Sequence, residues 1–135
     1  MLKKKLGAEA IERVWSRKGR LPISNYFKIP STLIIPEGCE KVGNGAFDCC
    51  NKLKKVKISG SVKSIGTLAF GGCRELGVIV IPESVEEIRD CAFDGCENAV
   101  IIIVNKSSES DFKFLGRLVF RNCFTVKYVK EEVRN

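Results

Sequence analysis

The chain has 135 residues, 44% apolar and 29% charged, with 23 Lys and Arg against 16 Asp and Glu. That is enough chain for one domain with a real core; the balance argues against wholesale disorder, and no apolar run reaches the ~18 residues of a spanning helix. Histidine is absent, which excludes Ser-His-Asp and Cys-His catalysis and every imidazole metal site.

Residues 1–20 place Leu2, Leu6, Ile11, Val14 and Trp15 at helical spacing and end at Gly19, which predicts an amphipathic capping helix, interrupted at Gly7. It carries Lys3, Lys4, Lys5, Arg13, Arg17, Lys18 and Arg20 against two glutamates. This basic segment is an alternative site, suited to nucleic acid or an anionic surface through charge contacts. It lacks the continuous apolar stretch of a signal peptide, so a cytoplasmic, reducing setting is expected. Residues 21–34 read as a degenerate leading unit, with Phe27 and Leu33 in columns that become regular further on.

Residues 35–104 hold three repeats. Ala46-Phe47, Ala69-Phe70 and Ala92-Phe93 recur every 23 residues, and each Phe is followed three positions later by Cys50, Cys73 or Cys96. Ile35, Ile58 and Ile81 open the units; Val42, Ile65 and Ile88 share a further column, as do Val56, Ile79 and Ile102. The polar stretch 105–111 reads as an insertion loop, because Phe120 and Cys123 follow Phe93 and Cys96 by 27 residues. Residues 112–135 are then an irregular fourth repeat and C-terminal cap, with Phe112, Leu115 and Val119 in the columns of Val85, Ile88 and Ala92.

The units IPEGCEKVGNGAFDCCNKLKKVK, ISGSVKSIGTLAFGGCRELGVIV and IPESVEEIRDCAFDGCENAVIII resemble the BspA-like (Treponema-type) leucine-rich repeat. The resemblance covers about residues 33–129 and implies a leucine-rich-repeat solenoid and a role in adhesion or other protein binding. The chain departs from the pattern in being short, in lacking a signal peptide and in carrying Ser59 where its sister units have Pro36 and Pro82.

The residues make the same fold sensible. A 23-residue unit cannot bury its own apolar face, whereas parallel stacking buries a continuous one. Each unit is expected to supply a short strand, a second extended stretch and a helical turn at Ala-Phe-x-x-Cys. The expected class is an α/β repeat solenoid with one buried ladder, Phe47, Phe70, Phe93 and Phe120.

The chemistry points away from catalysis. Cys50, Cys73, Cys96 and Cys123 form a repeat column, Cys39 takes a Val column, and no C-x-x-C pair exists, so the thiols read as free, metal-free core residues. Gly43-Asn44-Gly45 and Gly71-Gly72 lack the Gly-Lys-Ser/Thr of a phosphate loop. The acids of the third unit spread over a solvated surface. No enzyme activity, metal or cofactor is expected.

The runs GVIVIP and AVIIIV lose the alternation of a half-exposed strand. Counting in 23-residue columns places Val78, Val80, Ile101 and Ile103 outward in one patch, with Tyr128 as a further anchor and Lys55, Lys57 and Lys130 at the rim. The expected function is therefore non-catalytic binding of a protein partner, or of a second copy as a homodimer. The small size also fits a viral or mobile-element inhibitor of a host protein, though no motif supports it. Intramolecular cover of the patch by the Leu2–Trp15 helix is the competing expectation.

Overall fold

The computed structural model describes residues 31–131. They wind a parallel β-solenoid of about four turns. Strands β1 (Thr32–Ile35), β3 (Lys55–Ile58), β5 (Val78–Ile81), β7 (Val100–Val104) and β9 (Thr125–Val129) form one sheet in the order β1-β3-β5-β7-β9. The short strands β2 (Lys41–Val42), β4 (Ser64–Ile65), β6 (Glu87–Ile88) and β8 (Phe114–Leu115) form a second sheet in the order β2-β4-β6-β8. All pairings are parallel. The predicted capping helix, 1–20, and most of the degenerate leading unit lie outside the described residues.

The helical turns are not formed. Among the described residues no α-helix occurs, and the single helical segment is a 3-10 turn, Glu109–Asp111, inside the predicted insertion loop. The reason is visible in the hydrogen bonds. In Gly45–Cys50 alternate N–H groups serve different partners: those of Ala46, Asp48 and Cys50 close back three residues, onto the carbonyls of Gly43, Gly45 and Phe47. Those of Gly45, Phe47 and Cys49 cross to Thr67, Ala69 and Gly71 of the next rung, each at 2.7 Å. An α-helix would spend every N–H within its own segment. Here half of them tie rungs together.

That alternation needs two left-handed residues per turn. Gly45, Leu68, Cys91 and Leu118 supply the first (φ 64°, 56°, 58° and 57°), and Cys49, Gly72, Gly95 and Asn122 the second (φ 60°, 69°, 84° and 62°). Cys49 and Cys91, which fit no apolar column, thus stand at turn corners. Stacking also demands close approach elsewhere. A Cβ on Gly66 would meet Asn44 Oδ1 and lie 2.7 Å from the Asn44 nitrogen. The same Asn44 Oδ1 accepts a hydrogen bond from the Thr67 N–H at 2.8 Å, as Asp90 Oδ1 does from Arg117.

The core is a set of columns. Phe47, Phe70 and Phe93 are fully buried, and their rings stack with that of Phe120 at centroid separations of 5.4, 5.3 and 5.9 Å, with interplanar angles of 17°, 8° and 20°. A thiol ladder runs beside them. Cys73, Cys96 and Cys123 each donate an S–H to the carbonyl of the Phe one rung earlier, Phe47, Phe70 and Phe93, at 3.1, 3.0 and 3.2 Å. Cysteine in this column is a small apolar filler that also satisfies a carbonyl. The Cys96 thiol is pushed up to about 12: contact with the Cys123 thiol pulls it down, and this is outweighed by the Cys73 thiol and by burial. Cys123 is raised as well, by Cys96 beside it and by burial.

Ser59, the departure from proline, has its own device. Its hydroxyl donates to the Pro36 carbonyl at 2.9 Å and lies 2.8 Å from Ser61 Oγ, which in turn donates to the Cys39 carbonyl at 2.8 Å. The insertion is anchored as well. Asn105 donates to Glu83 at 2.8 Å, and the buried Lys106 ammonium donates to the Glu83 carbonyl at 3.1 Å and lies 4.9 Å from the Phe112 ring centre. At the last rung the core opens: Leu115, Phe120, Cys123, Val126 and Tyr128 are only partly buried, and Phe124 is 72% exposed.

Phe70→Ala removes a ring packed on both faces and should cost about 3–5 kcal/mol, read as a lowered denaturant midpoint; Gly66→Ala should cost about 1–3 kcal/mol by forcing backbone apart. For the thiols, alkylation of native protein at neutral pH should label the exposed Cys49 and spare Cys50, Cys73 and Cys96. Since the Cys96 thiol ionises near 12 when folded and at 9.0 unfolded, its contribution to stability holds below pH 9 and is lost as pH rises towards 12. Cys96→Ala should flatten that alkaline decline in a pH series of thermal melts.

Candidate functional site

The outward face of the five-stranded sheet is the candidate site. In each strand alternate residues enter the core, as the buried Val56 and Ile58 do in β3, leaving Lys55 and Lys57 outside. In β5 the outward residues are Val78 and Val80, 55% and 44% exposed, as the sequence predicts.

The third unit differs. Ile101 and Ile103 are fully buried, and the outward residues are Val100 and Ile102, both half-buried. Ile79 pairs with Ile101 rather than Ile102, and Val78 with Val100, because the third unit lacks a counterpart of Gly77. A one-residue shift moves every side chain of a strand to the other face. Beyond β7 the pattern is Val100 beside Thr125 and Ile102 beside Lys127. Tyr128 accordingly falls in the inward column with Ile103, half-buried against the core, and is no surface anchor. Burial raises its pKa, helped by the carboxylates of Glu109 and Asp111. Lys130 follows the end of β9 and is exposed, so Lys127 is the rim residue the sequence missed.

The corrected face is a two-by-two aliphatic block. Val78 lies beside Val100, and Val80 beside Ile102. Lys57 flanks Val80 on one side, and Lys127 flanks Ile102 on the other. Ile34, 40% exposed, sits beyond Lys57. The basic alternative site, Lys3, Lys4, Lys5, Arg13, Arg17, Lys18 and Arg20, lies outside the described residues.

The second sheet carries a different surface. A polar cleft of about 380 Å³ is lined by Lys41, Asn44, Ser64, Thr67, Glu87 and Arg89 among others. Arg89 donates to Glu87 at 2.6 Å, and its guanidinium lies 4.4 Å from the centre of the Phe114 ring. Its neighbours are likewise engaged: Glu86 pairs with Lys113 at 3.5 Å, and Asp94 binds Arg121 through two hydrogen bonds, 3.0 and 2.6 Å, raising the arginine pKa. Three acids of the third unit, Glu86, Glu87 and Asp94, are thus paired with basic neighbours. Among the described residues no three Cys, Asp or Glu side chains are placed to hold a metal ion, and no helix is long and apolar enough to cross a membrane.

The family comparison agrees with this repeat. The family model described as the BspA type leucine-rich repeat region matches residues 25–132 in six copies. No curated protein matches the chain in sequence. Among solved structures, a leucine-rich cell surface protein from Faecalibacterium prausnitzii A2-165 is similar, with 29% identity and a TM-score of 0.49 over 76% of this chain and 33% of that one. The chain therefore spans about a third of that protein's length. With the family model covering most of the chain and the parallel ladders matching its repeat, the protein belongs to the BspA-type leucine-rich-repeat family.

Proposed function

We propose that the protein is a non-catalytic interaction module that captures a protein partner on the outward face of its five-stranded sheet. One observation carries this reading: four aliphatic side chains, Val78, Val80, Val100 and Ile102, occupy adjacent outward positions where a solvated strand carries polar residues. They take no part in the solenoid core, and leaving them wet forgoes burial. Fully burying a Val or Ile is worth about 1.5–3 kcal/mol, so completing the burial of four half-exposed ones offsets a useful part of the cost of association. A polar rim around an apolar centre is the usual composition of such a surface. Adhesion and inhibition of a target would use it alike, since both require only capture.

A reducing, cytoplasmic setting suits the thiol ladder. Three thiols spend their protons on Phe carbonyls, and a disulfide would take those donors away.

The test is a pair of charges in the block. Val80→Lys with Ile102→Lys should abolish partner capture in a pull-down while moving the melting temperature by only a few degrees, because neither side chain packs in the core. Unchanged capture by a folded double variant would place the binding surface elsewhere. Collapse of the fold would show that the chain itself covers the block.

A further inference from the structure

The charges on the strand face distinguish between kinds of partner. None of the outward positions of β1, β3, β5, β7 and β9 carries a carboxylate. Lys55 and Lys57 project from β3 and Lys127 from β9, with Lys130 just past it. Among the described residues these four lysines enter no ion pair, whereas Arg89, Lys113 and Arg121 around the second sheet are matched to Glu87, Glu86 and Asp94. The aliphatic block therefore lies between uncompensated positive charges, Lys55 and Lys57 on β3 and Lys127 on β9. From β3 to β9 is three strand spacings, about 14 Å.

This arrangement opposes a second copy. A two-fold axis lying in the face has two limiting directions, along the strands and across them. The first sets β3 of one copy over β9 of the other, and the second sets β3 over β3 and β9 over β9. Either way lysine meets lysine around the block, and like charges brought together at an interface disfavour that pairing.

We propose that the face takes an acidic-flanked apolar segment of a partner protein: one or two aliphatic or aromatic side chains on Val78, Val80, Val100 and Ile102, with carboxylates on either side reaching Lys55 and Lys57 at one end and Lys127 at the other. An extended chain crossing the strands rises about 3.3 Å per residue, so the two acidic groups stand about four positions apart. The proposal rests on the strand-face reading above and adds the chemistry of the partner to it.

The experiment is a selection of displayed random peptides on the immobilised full chain, followed by fluorescence anisotropy of the enriched peptides. It is run with wild type, with Lys57→Glu/Lys127→Glu and with Val80→Lys/Ile102→Lys, each checked by a thermal melt. Lys57→Gln/Lys127→Gln is held ready in case the glutamate variant fails to fold. Enriched peptides should carry Asp or Glu on both sides of an apolar pair, and their affinity should fall as salt rises. It should drop by about tenfold or more on the lysine variant and vanish on the aliphatic one. Neutral or basic peptides, or affinity unmoved by the lysine changes but lost on the aliphatic variant, would overturn the acidic partner and leave the strand face standing. Affinity unmoved by either variant would overturn both. No enrichment, with the chain instead binding phosphatidylserine vesicles, would assign the face to an anionic lipid surface and overturn the proposal.

Discussion

Everything in this molecule depends on one constraint: a rung cannot satisfy its own backbone. Each strand of two to five residues has its hydrogen-bonding partners on the rungs before and after it, and so do alternate peptide groups of every turn. Buried N–H and C=O groups left unpaired cost more than a net hydrogen bond gives, so rungs are held at one spacing along the whole stack. Once that spacing is imposed, identical side chains fall on top of each other. The stacked Phe rings, the thiols donating to carbonyls one rung back and the glycines at points of close contact are consequences of it.

The same constraint explains what is tolerated. Left-handed backbone costs about 1–2 kcal/mol for a residue with a Cβ, yet Leu68, Cys91 and Leu118 adopt it because the neighbouring rungs already hold the turn in that shape. Ser59 replaces proline where its hydroxyl can bond the rung below. The extra residues of the fourth unit are gathered into one loop, pinned by Asn105 and by Lys106 over Phe112, so the rungs on either side keep their register. A repeat protein absorbs irregularity at its corners and excludes it from its ladders.

Function is left to the surfaces that stacking does not use. The second sheet presents paired charges and a polar cleft, a solvated exterior. The larger sheet presents a different composition, aliphatic in the middle and positively charged on both sides, because its outward positions are free of core duties. Two adjacent units put Val and Ile there, and the parallel sheet brings them together into a single block that no single strand could offer.

The sequence alone determined the architecture: the 23-residue recurrence of Ala-Phe and Cys, with Ile and Val columns between, requires parallel stacking because no unit can bury its own apolar face. It also determined the outward Val78 and Val80 and the ladder of Phe47, Phe70 and Phe93, since these lie where the period is unbroken, and Phe120 once the insertion is allowed for. Tertiary structure decided the rest. Val100–Val104 is five apolar residues in a row and carries no parity, so only pairing with β5 shows that Ile101 and Ile103 enter the core while Val100 and Ile102 face out. Tyr128 and Lys127 exchanged roles for the same reason, their strand being read through the one before it. Ala-Phe-x-x-Cys has a spacing that suits a helical turn, and only the neighbouring rung, by accepting every second N–H, makes it a turn ladder instead. Local pattern fixes what a segment prefers; the partner across the hydrogen bonds fixes which face it shows.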